Sequence, residues 1–191
     1  MNVTSKITTL AALSVLAACS SITGPGAPPA PPPPSALNAT DSSFVQKASE
    51  MNLMEIALGS AAATNASASG VKSFAATLVT DHTAQQNRLS AIATGHGVTL
   101  ATDPSADDKK TVTTISALKG SAFDQAFLSQ VVTDHKAALP VMTAEHTAST
   151  DIDLKSYAED NSANIQKHLS AAEALTGSGH SGKSHRHTRR R

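Results

Sequence analysis

The chain has 191 residues, of which 40% are hydrophobic, 3% aromatic and 16% charged, and its single Cys excludes an internal disulfide or a cysteine-built zinc site. The net charge of zero hides an asymmetry, because residues 179–191 hold five basic residues and no acid, which leaves ten basic and fifteen acidic residues elsewhere. Few aromatic residues and abundant Ala, Ser and Thr favour closely packed helices over a β-sandwich or a β-barrel.

The N-terminus has the features of a bacterial lipoprotein signal. Lys6 precedes an apolar run from Ile7 to Ala18, which at twelve residues is too short to span a bilayer as a helix. The sequence Leu16-Ala17-Ala18-Cys19 resembles a lipobox, in which the thiol is acylated and the Cys becomes the mature N-terminus. Ser20 after it favours sorting to the outer membrane. We therefore expect Cys19 to anchor the protein to the membrane on the periplasmic side. The alternative is an ordinary signal peptide and a soluble periplasmic protein.

The composition divides the chain into four parts. Residues 1–18 form the predicted signal peptide, and residues 19–42 contain seven prolines among Gly, Ala and Ser. Such a segment cannot form a core and favours an extended conformation, so it is predicted to be a tether. Residues 43–176 carry the helical periodicity of a domain, and residues 177–191 form a tail rich in His and Arg that we expect to be disordered.

Four segments of the domain have a helical hydrophobic pattern, over residues 43–64, 70–94, 121–147 and 151–175. A short helix is also expected around residues 107–118, within the long connection between the second and third segments. No phosphate-binding loop, nucleophile triad or nucleotide fingerprint is present, so the sequence favours neither a catalytic centre of those classes nor a specific nucleic-acid partner.

The ends of these helices carry recognisable capping residues. Asp41, Ser42 or Ser43 is expected to cap the first helix, and Asp151 to cap the last. Pro140 lies inside the third long helix, where it lacks an N–H group and crowds the preceding turn, so a bend is expected there.

The two halves of the domain resemble each other. Phe44-Val45-Gln46 opens the first long helix and Phe123-Asp124-Gln125 the third, while Val71-Lys72-Ser73-Phe74-Ala75 opens the second and Leu154-Lys155-Ser156-Tyr157-Ala158 the fourth. Two similar hairpins joined by a longer crossover predict an all-α, four-helix up-down bundle.

A spacing of three and four residues along each helix places one titratable side chain near the middle of each apolar seam: Glu55, His82, His135 and His168. Residue counts from the turns put all four at similar heights, so we expect them in one layer. Three imidazoles and a carboxylate form a plausible ligand set for Zn, Fe, Cu or Mn. Asp81 and Asp134 each precede a seam His, and they are expected to be acceptors outside the ligand set or solvated neighbours.

Two other interpretations of this layer stay open. The same four side chains can form a metal-free hydrogen-bonded network in the core, in a structural or stress-related protein that binds an envelope partner. The third interpretation is an enzyme that uses the metal. The basic tail, for its part, is expected to attract anionic envelope polymers, because its charges are exposed and of one sign.

Several of these motifs together resemble the bacterial family called domain of unknown function 4142. They are residues 44–48, 54–59 and 71–75, together with Asp81-His82 and Asp134-His135-Lys136. Members of that family are labelled outer membrane proteins, and the resemblance implies a ferritin-like fold with Glu55, His82, His135 and His168 as the marked positions. Di-iron proteins of that fold use Glu-x-x-His motifs, whereas here Val79 and Ile165 stand three residues before two of the histidines.

Overall fold

The computed structural model describes residues 35–181, with side chains described up to residue 177. This part of the chain is all-α, and its five helices are α1 Ala39–Asn65, α2 Ser69–Gly95, α3 Ala106–Ser116, α4 Gly120–Ala148 and α5 Ile152–Ser181. All four long helices and the short one in the crossover are confirmed. The predicted signal peptide, Cys19, most of the tether and residues 182–191 lie outside the described residues. None of the helices described is long and apolar enough to cross a bilayer.

The long helices form a bundle of two antiparallel hairpins, α1 with α2 and α4 with α5. At one end of the bundle, Asp124 near the start of α4 accepts hydrogen bonds from Ser67 in the α1–α2 turn. At the other end, Ser149 after α4 donates to Asp41 near the start of α1. The crossover that contains α3 therefore carries the chain from one end to the other, and α2 and α4 run in the same direction.

Helix α1 begins earlier than expected, and its predicted cap is wrong. Asn38 is the capping residue, because its side-chain Oδ1 accepts from the backbone N–H of Asp41 at 2.9 Å. The preceding Leu37 packs against the core, which fixes the entry of the chain one turn before Ser42 and Ser43.

The start of α5 is as predicted. Asp151 Oδ1 accepts from the backbone N–H groups of Asp153 and Leu154 at 3.0 and 2.9 Å. Helix α4 continues through Pro140 as one element, and the bend expected there stays a prediction.

The core consists of two apolar clusters separated by a polar layer. One cluster contains Leu58, Leu78, Val131 and Ala172, and the other contains Ala48, Leu89, Ala138 and Ile165, one residue from each long helix in turn. Between these positions on every helix lies a buried polar side chain, and the four predicted seam residues are among them: Glu55, His82, His135 and His168. These four seam positions are buried as predicted, and the polar layer interrupts the apolar core near its middle.

Helices α1 and α2 approach closely at Gly59. A Cβ atom at this position would lie 2.7 Å from Val79 Cγ2 and 3.0 Å from the backbone oxygen of Ala75. Because the second contact is with backbone, a larger residue could not be accommodated without separating the two helices.

Candidate metal centre

Three histidines from three different helices converge in the polar layer. His82 of α2, His135 of α4 and His168 of α5 are 1%, 1% and 4% exposed. Each offers one ring nitrogen to a group in which all three atoms lie within 4.8 Å of one another. The described residues contain no other such group of His, Cys, Asp and Glu side chains.

Each of the three imidazoles also has an oxygen beside one of its ring nitrogens. His82 Nδ1 lies 3.0 Å from Asn52 Oδ1, and His168 Nε2 lies 2.9 Å from Asp81 Oδ2. His135 Nδ1 lies 3.5 Å from Glu55 Oε1, which is longer than a good hydrogen bond. Metal-binding histidines typically donate their second N–H group to such oxygens, because this fixes the ring and its tautomer.

The amide orientation of Asn52 determines the tautomer of His82. Asn52 Nδ2 donates to Tyr157 Oη at 3.1 Å and to Gln86 Oε1 at 3.3 Å, so its Oδ1 is the atom that faces His82. An amide oxygen only accepts, and His82 must therefore carry its proton on Nδ1. The lone pair of His82 is thus on Nε2, a buried atom with no hydrogen-bond partner.

The contacts of His168 determine its tautomer in a similar way. Asp81 is a hydrogen-bond acceptor for His168 Nε2, so His168 Nδ1 carries the lone pair when the ring is neutral. That atom lies 3.2 Å from His135 Nε2. Either a proton lies between these two nitrogens, or both lone pairs need a cation.

Burial keeps the two most enclosed imidazoles neutral. Desolvation, followed by the neighbouring histidines, lowers the pKa of His82 to about 3. Desolvation, followed by His168, lowers the pKa of His135 to about 4. Both rings are therefore neutral near pH 7, which is the form that binds metal ions.

Glu55 is in the layer but outside the group of three histidines. Its side chain is fully buried, and neither carboxylate oxygen has a hydrogen-bond partner. Burial, and then the charge of Asp134, raises the pKa of Glu55 to about 8. Of the four residues predicted to meet, the structure groups the three imidazoles around one point. The Glu55 carboxylate faces the second nitrogen of His135.

The two aspartates that precede seam histidines differ in their contacts. Asp81 accepts from His168, as expected for a residue that orients a ligand. Asp134 instead accepts from Gln130 Nε2 with both oxygens, at 2.9 and 3.0 Å. Asn52 and Tyr157 were not predicted from the sequence, although they are the residues that orient His82.

Comparison with known proteins identifies the family of this chain. The family model described as "Domain of unknown function (DUF4142)" matches residues 26–175. The chain belongs to this family. No curated protein matches it. A solved structure, "Crystal structure of DUF305 fragment from Deinococcus radiodurans", is similar with a TM-score of 0.66 and 15% identity, covering 74% of this chain and 98% of that one. At that identity the likeness shows the fold alone.

Proposed function

We propose that this DUF4142 chain is a cell-envelope lipoprotein whose bundle binds one transition-metal ion, Zn, Fe, Cu or Mn, through His82, His135 and His168. The observation that carries the proposal is the buried lone pair of His82 Nε2, which has no donor and lies in the cluster with the other two rings. A buried polar atom without a partner costs free energy, and a bound cation removes that cost.

The donor set fits such an ion. Neutral imidazole nitrogens are ligands for all four metals. Asn52 and Asp81 hold the second nitrogens of His82 and His168, so these two rings are oriented before any ion binds. Glu55 is the carboxylate nearest the remaining ring, and we assign it the role of orienting His135 rather than that of a ligand.

A metal-free network is the second candidate, and the 3.2 Å contact between His135 and His168 favours it. In this arrangement a protonated Glu55 donates to His135, His135 donates to His168, and His168 donates to Asp81. The contact between Glu55 and His135 has to shorten from 3.5 Å for this arrangement, and His82 Nε2 remains without a partner even then. This one atom separates the two candidates.

Metal-dependent stability tests the proposal. Adding Zn, Cu, Fe or Mn to demetallated protein is expected to raise its Tm, because binding to the folded state alone stabilises it. At a free metal concentration about one hundred times Kd, the gain is about 2.7 kcal/mol, or about 5–10 °C for a domain of this size.

Three altered proteins separate the core site from adventitious binding. The effect should vanish in His82→Ala/His135→Ala and persist in His146→Ala, whose imidazole contacts the Lys155 carbonyl outside the cluster. It should also persist when the chain is truncated after Thr176. An unchanged response in the double variant, or its loss on truncation alone, would overturn the core site in favour of the metal-free network.

The anchor is tested separately. Cys19→Ser is expected to move the protein from the membrane fraction to the soluble periplasm, because acyl chains supply about 0.8 kcal/mol per buried methylene. Ser21→Ala is the matched control and should stay with the membrane. A wild-type protein whose mass shows no acyl chain, or a Cys19→Ser variant that stays membrane-bound, would contradict the anchor.

A further inference from the structure

One imidazole joins the segment before α1 to the end of the bundle where α2 ends and α5 begins. His96, the residue at the C-terminus of α2, has Nδ1 2.7 Å from the backbone oxygen of Ser35. Its Nε2 lies 3.0 Å from Asp151 Oδ2, just before α5. The side chain of His96 is only 8% exposed, so these two contacts replace most of its contact with water. Three parts of the chain that are far apart in sequence therefore meet at this ring.

The position of His96 is fixed by the way in which α2 ends. Its backbone N–H group donates to the carbonyls of Ile92 and Ala93 at 3.2 and 3.1 Å. Gly97 after it has a φ of 70°, and the N–H group of Val98 donates back to the Ala93 carbonyl at 2.8 Å. A glycine in this left-handed conformation, followed by a hydrogen bond to the last turn, is a common helix end. The imidazole thus lies at the negative end of the α2 dipole, where a cation is favoured.

Both ring nitrogens of His96 face groups that only accept hydrogen bonds. Ser35 contributes a backbone carbonyl and Asp151 a carboxylate. A neutral imidazole has one N–H group, so it donates to one of them and points a lone pair at the other. An imidazolium donates to both. The two contacts are therefore complete only when His96 carries two protons.

The contact with Ser35 is the weaker of the two. A carboxylate is a stronger acceptor than a carbonyl, and Asp151 is held in place because its other oxygen caps α5. A neutral His96 is therefore expected to keep its proton on Nε2 and to turn a lone pair toward Ser35. Ser35 and Ala36 are exposed, so packing does not hold them once this hydrogen bond is lost. The next residue, Leu37, packs against the core and stays in place.

We propose that His96 is a pH-sensitive switch for the segment that leads into the domain. When the ring is protonated, it holds Ser35 on the bundle, and the chain leaves the domain from this fixed point. When the ring loses a proton, the fixed point moves to Leu37, and the residues before it are free to change direction. Ser35 lies within the predicted tether, so the switch controls how freely the domain moves relative to the N-terminal part of the chain. It requires neither a metal at the histidine centre nor an acyl chain on Cys19.

The charges around His96 are mostly negative. Asp153 lines the same surface depression as His96 and Asp151, and its charge adds to the field that favours the imidazolium. Burial, followed by the charges of Asp41 and Asp151, raises the pKa of Glu145 to about 7, so Glu145 exchanges its proton in the same pH range as an imidazole. Three further titratable side chains lie at this end of the bundle: Asp41, His146 and Lys155. The experiment therefore has to separate His96 from Glu145.

Backbone NMR of the full-length protein tests the switch, with the pH raised from about 5 to about 8, the range in which imidazoles commonly exchange a proton. The amide order parameters of Ser35 and Ala36 are expected to fall from about 0.85, the rigid value, to below about 0.6 while the ring signals of His96 titrate. The amide of Asp41, which donates to the Asn38 side chain, should stay rigid and shows that α1 remains folded. Unchanged order parameters, or a ring that does not titrate in this range, overturn the proposal.

Asp151→Asn should give a result that a merely structural role of His96 does not predict. The new side-chain oxygen can still cap α5, and the new amide N–H group can donate to the Nε2 lone pair of a neutral His96. The single proton of the ring is then on Nδ1 and is available to Ser35. Ser35 and Ala36 should therefore stay ordered at pH 8 in this variant. A loss of order at pH 8 like that of the wild type would contradict the assignment of the two contacts.

Two further variants assign the transition to His96. His96→Gln has no titratable group at this position, so the order parameters of Ser35 and Ala36 should no longer change with pH. Glu145→Gln should keep the wild-type transition, because it leaves both partners of the ring in place. A transition that persists in His96→Gln, or one that disappears in Glu145→Gln, would overturn the role of the imidazole.

Discussion

Asp124 and Glu55 are both buried carboxylates, but their surroundings differ completely. Asp124 accepts from the backbone N–H groups of Ser67 and Ala68 and from the Ser67 hydroxyl, so both of its oxygens are paired. Glu55 is more deeply buried, and neither of its oxygens has a hydrogen-bond partner. One carboxylate holds the α1–α2 turn against α4, whereas the other faces an imidazole at 3.5 Å.

Asp124 stabilises the fold, whereas the burial of Glu55 is accounted for only by its place beside the histidines. Backbone donors offset the cost of burying Asp124, and they would be orphaned without it. Glu55 has no such compensation, and replacing it by an apolar side chain would cost the fold little. A buried polar group without a partner is therefore the stronger indication of function.

The largest expected effect is the loss of the Asp124 hydrogen bonds. Asp124→Ala should lower the free energy of unfolding by about 3 kcal/mol, because two backbone donors and a hydroxyl lose a charged acceptor. Urea unfolding measures this loss. Asp160→Ala removes an exposed ion pair with Arg88 and should cost less than about 1 kcal/mol. Equal losses in the two variants would contradict the structural role of Asp124.

Glu55→Gln should affect metal binding rather than stability. Stability near pH 7 without metal should change by less than about 1 kcal/mol, because Glu55 is protonated there and a neutral amide replaces a neutral carboxyl group. Metal affinity above about pH 8, where Glu55 is ionised, should fall about 10–100-fold, because His135 then loses the charged oxygen beside its second nitrogen. Competition with a chelator measures the affinity, with Glu50→Gln on the same helix as the control. An unchanged affinity would remove Glu55 from the site.

Glu145 is a third buried carboxylate, and its raised pKa predicts that the free energy of unfolding depends on pH. One of its oxygens has no partner, and burial, followed by the charges of Asp41 and Asp151, raises its pKa from 4.5 to about 7. Between these two pH values the unfolded chain releases the Glu145 proton while the folded chain retains it. The unfolded state therefore becomes more favourable, and the free energy of unfolding falls as the pH rises.

The matched variant isolates this contribution. Glu145→Gln cannot ionise, so the wild type should lose about 1–2 kcal/mol relative to it between pH 4.5 and 8, with solvent in the surface cavity beside Glu145 reducing the full effect of the shift. Urea unfolding of both proteins at the two pH values gives the difference. Parallel pH profiles would mean that Glu145 is ionised freely in the folded state.

The sequence predicted the bundle and the composition of its polar layer. Counting from the turns placed Glu55, His82, His135 and His168 together, because helix geometry converts residue number directly into height. Counting back three or four residues from Glu55 gives either Asn52 or Met51 as the next position of this face of α1. In the structure Met51 is half-buried and its neighbour Asn52 is fully buried, since the spacing rule leaves the rotation of a helix uncertain by about one residue.

The orientation of the histidine rings could not be predicted in this way, because it depends on contacts between helices. The sequence did indicate one of these contacts. In the repeat of the two hairpins, Tyr157 stands at the position that Phe74 has in the first hairpin. Both rings are buried, but a buried tyrosine hydroxyl needs a polar partner in the opposite helices. Asn52 is that partner, and its spacing of three residues before Glu55 places it on the same face of α1.

The missing side chain at Gly59 has an effect on chemistry two helical turns away. The hydrogen bond from His82 to Asn52 crosses the α1–α2 interface, so its length depends on how closely these two helices lie. Gly59 brings the two helices together on the same side of the hairpin. The absence of a methyl group at Gly59 thereby helps to set the distance between Asn52 and His82, although Gly59 contacts neither side chain.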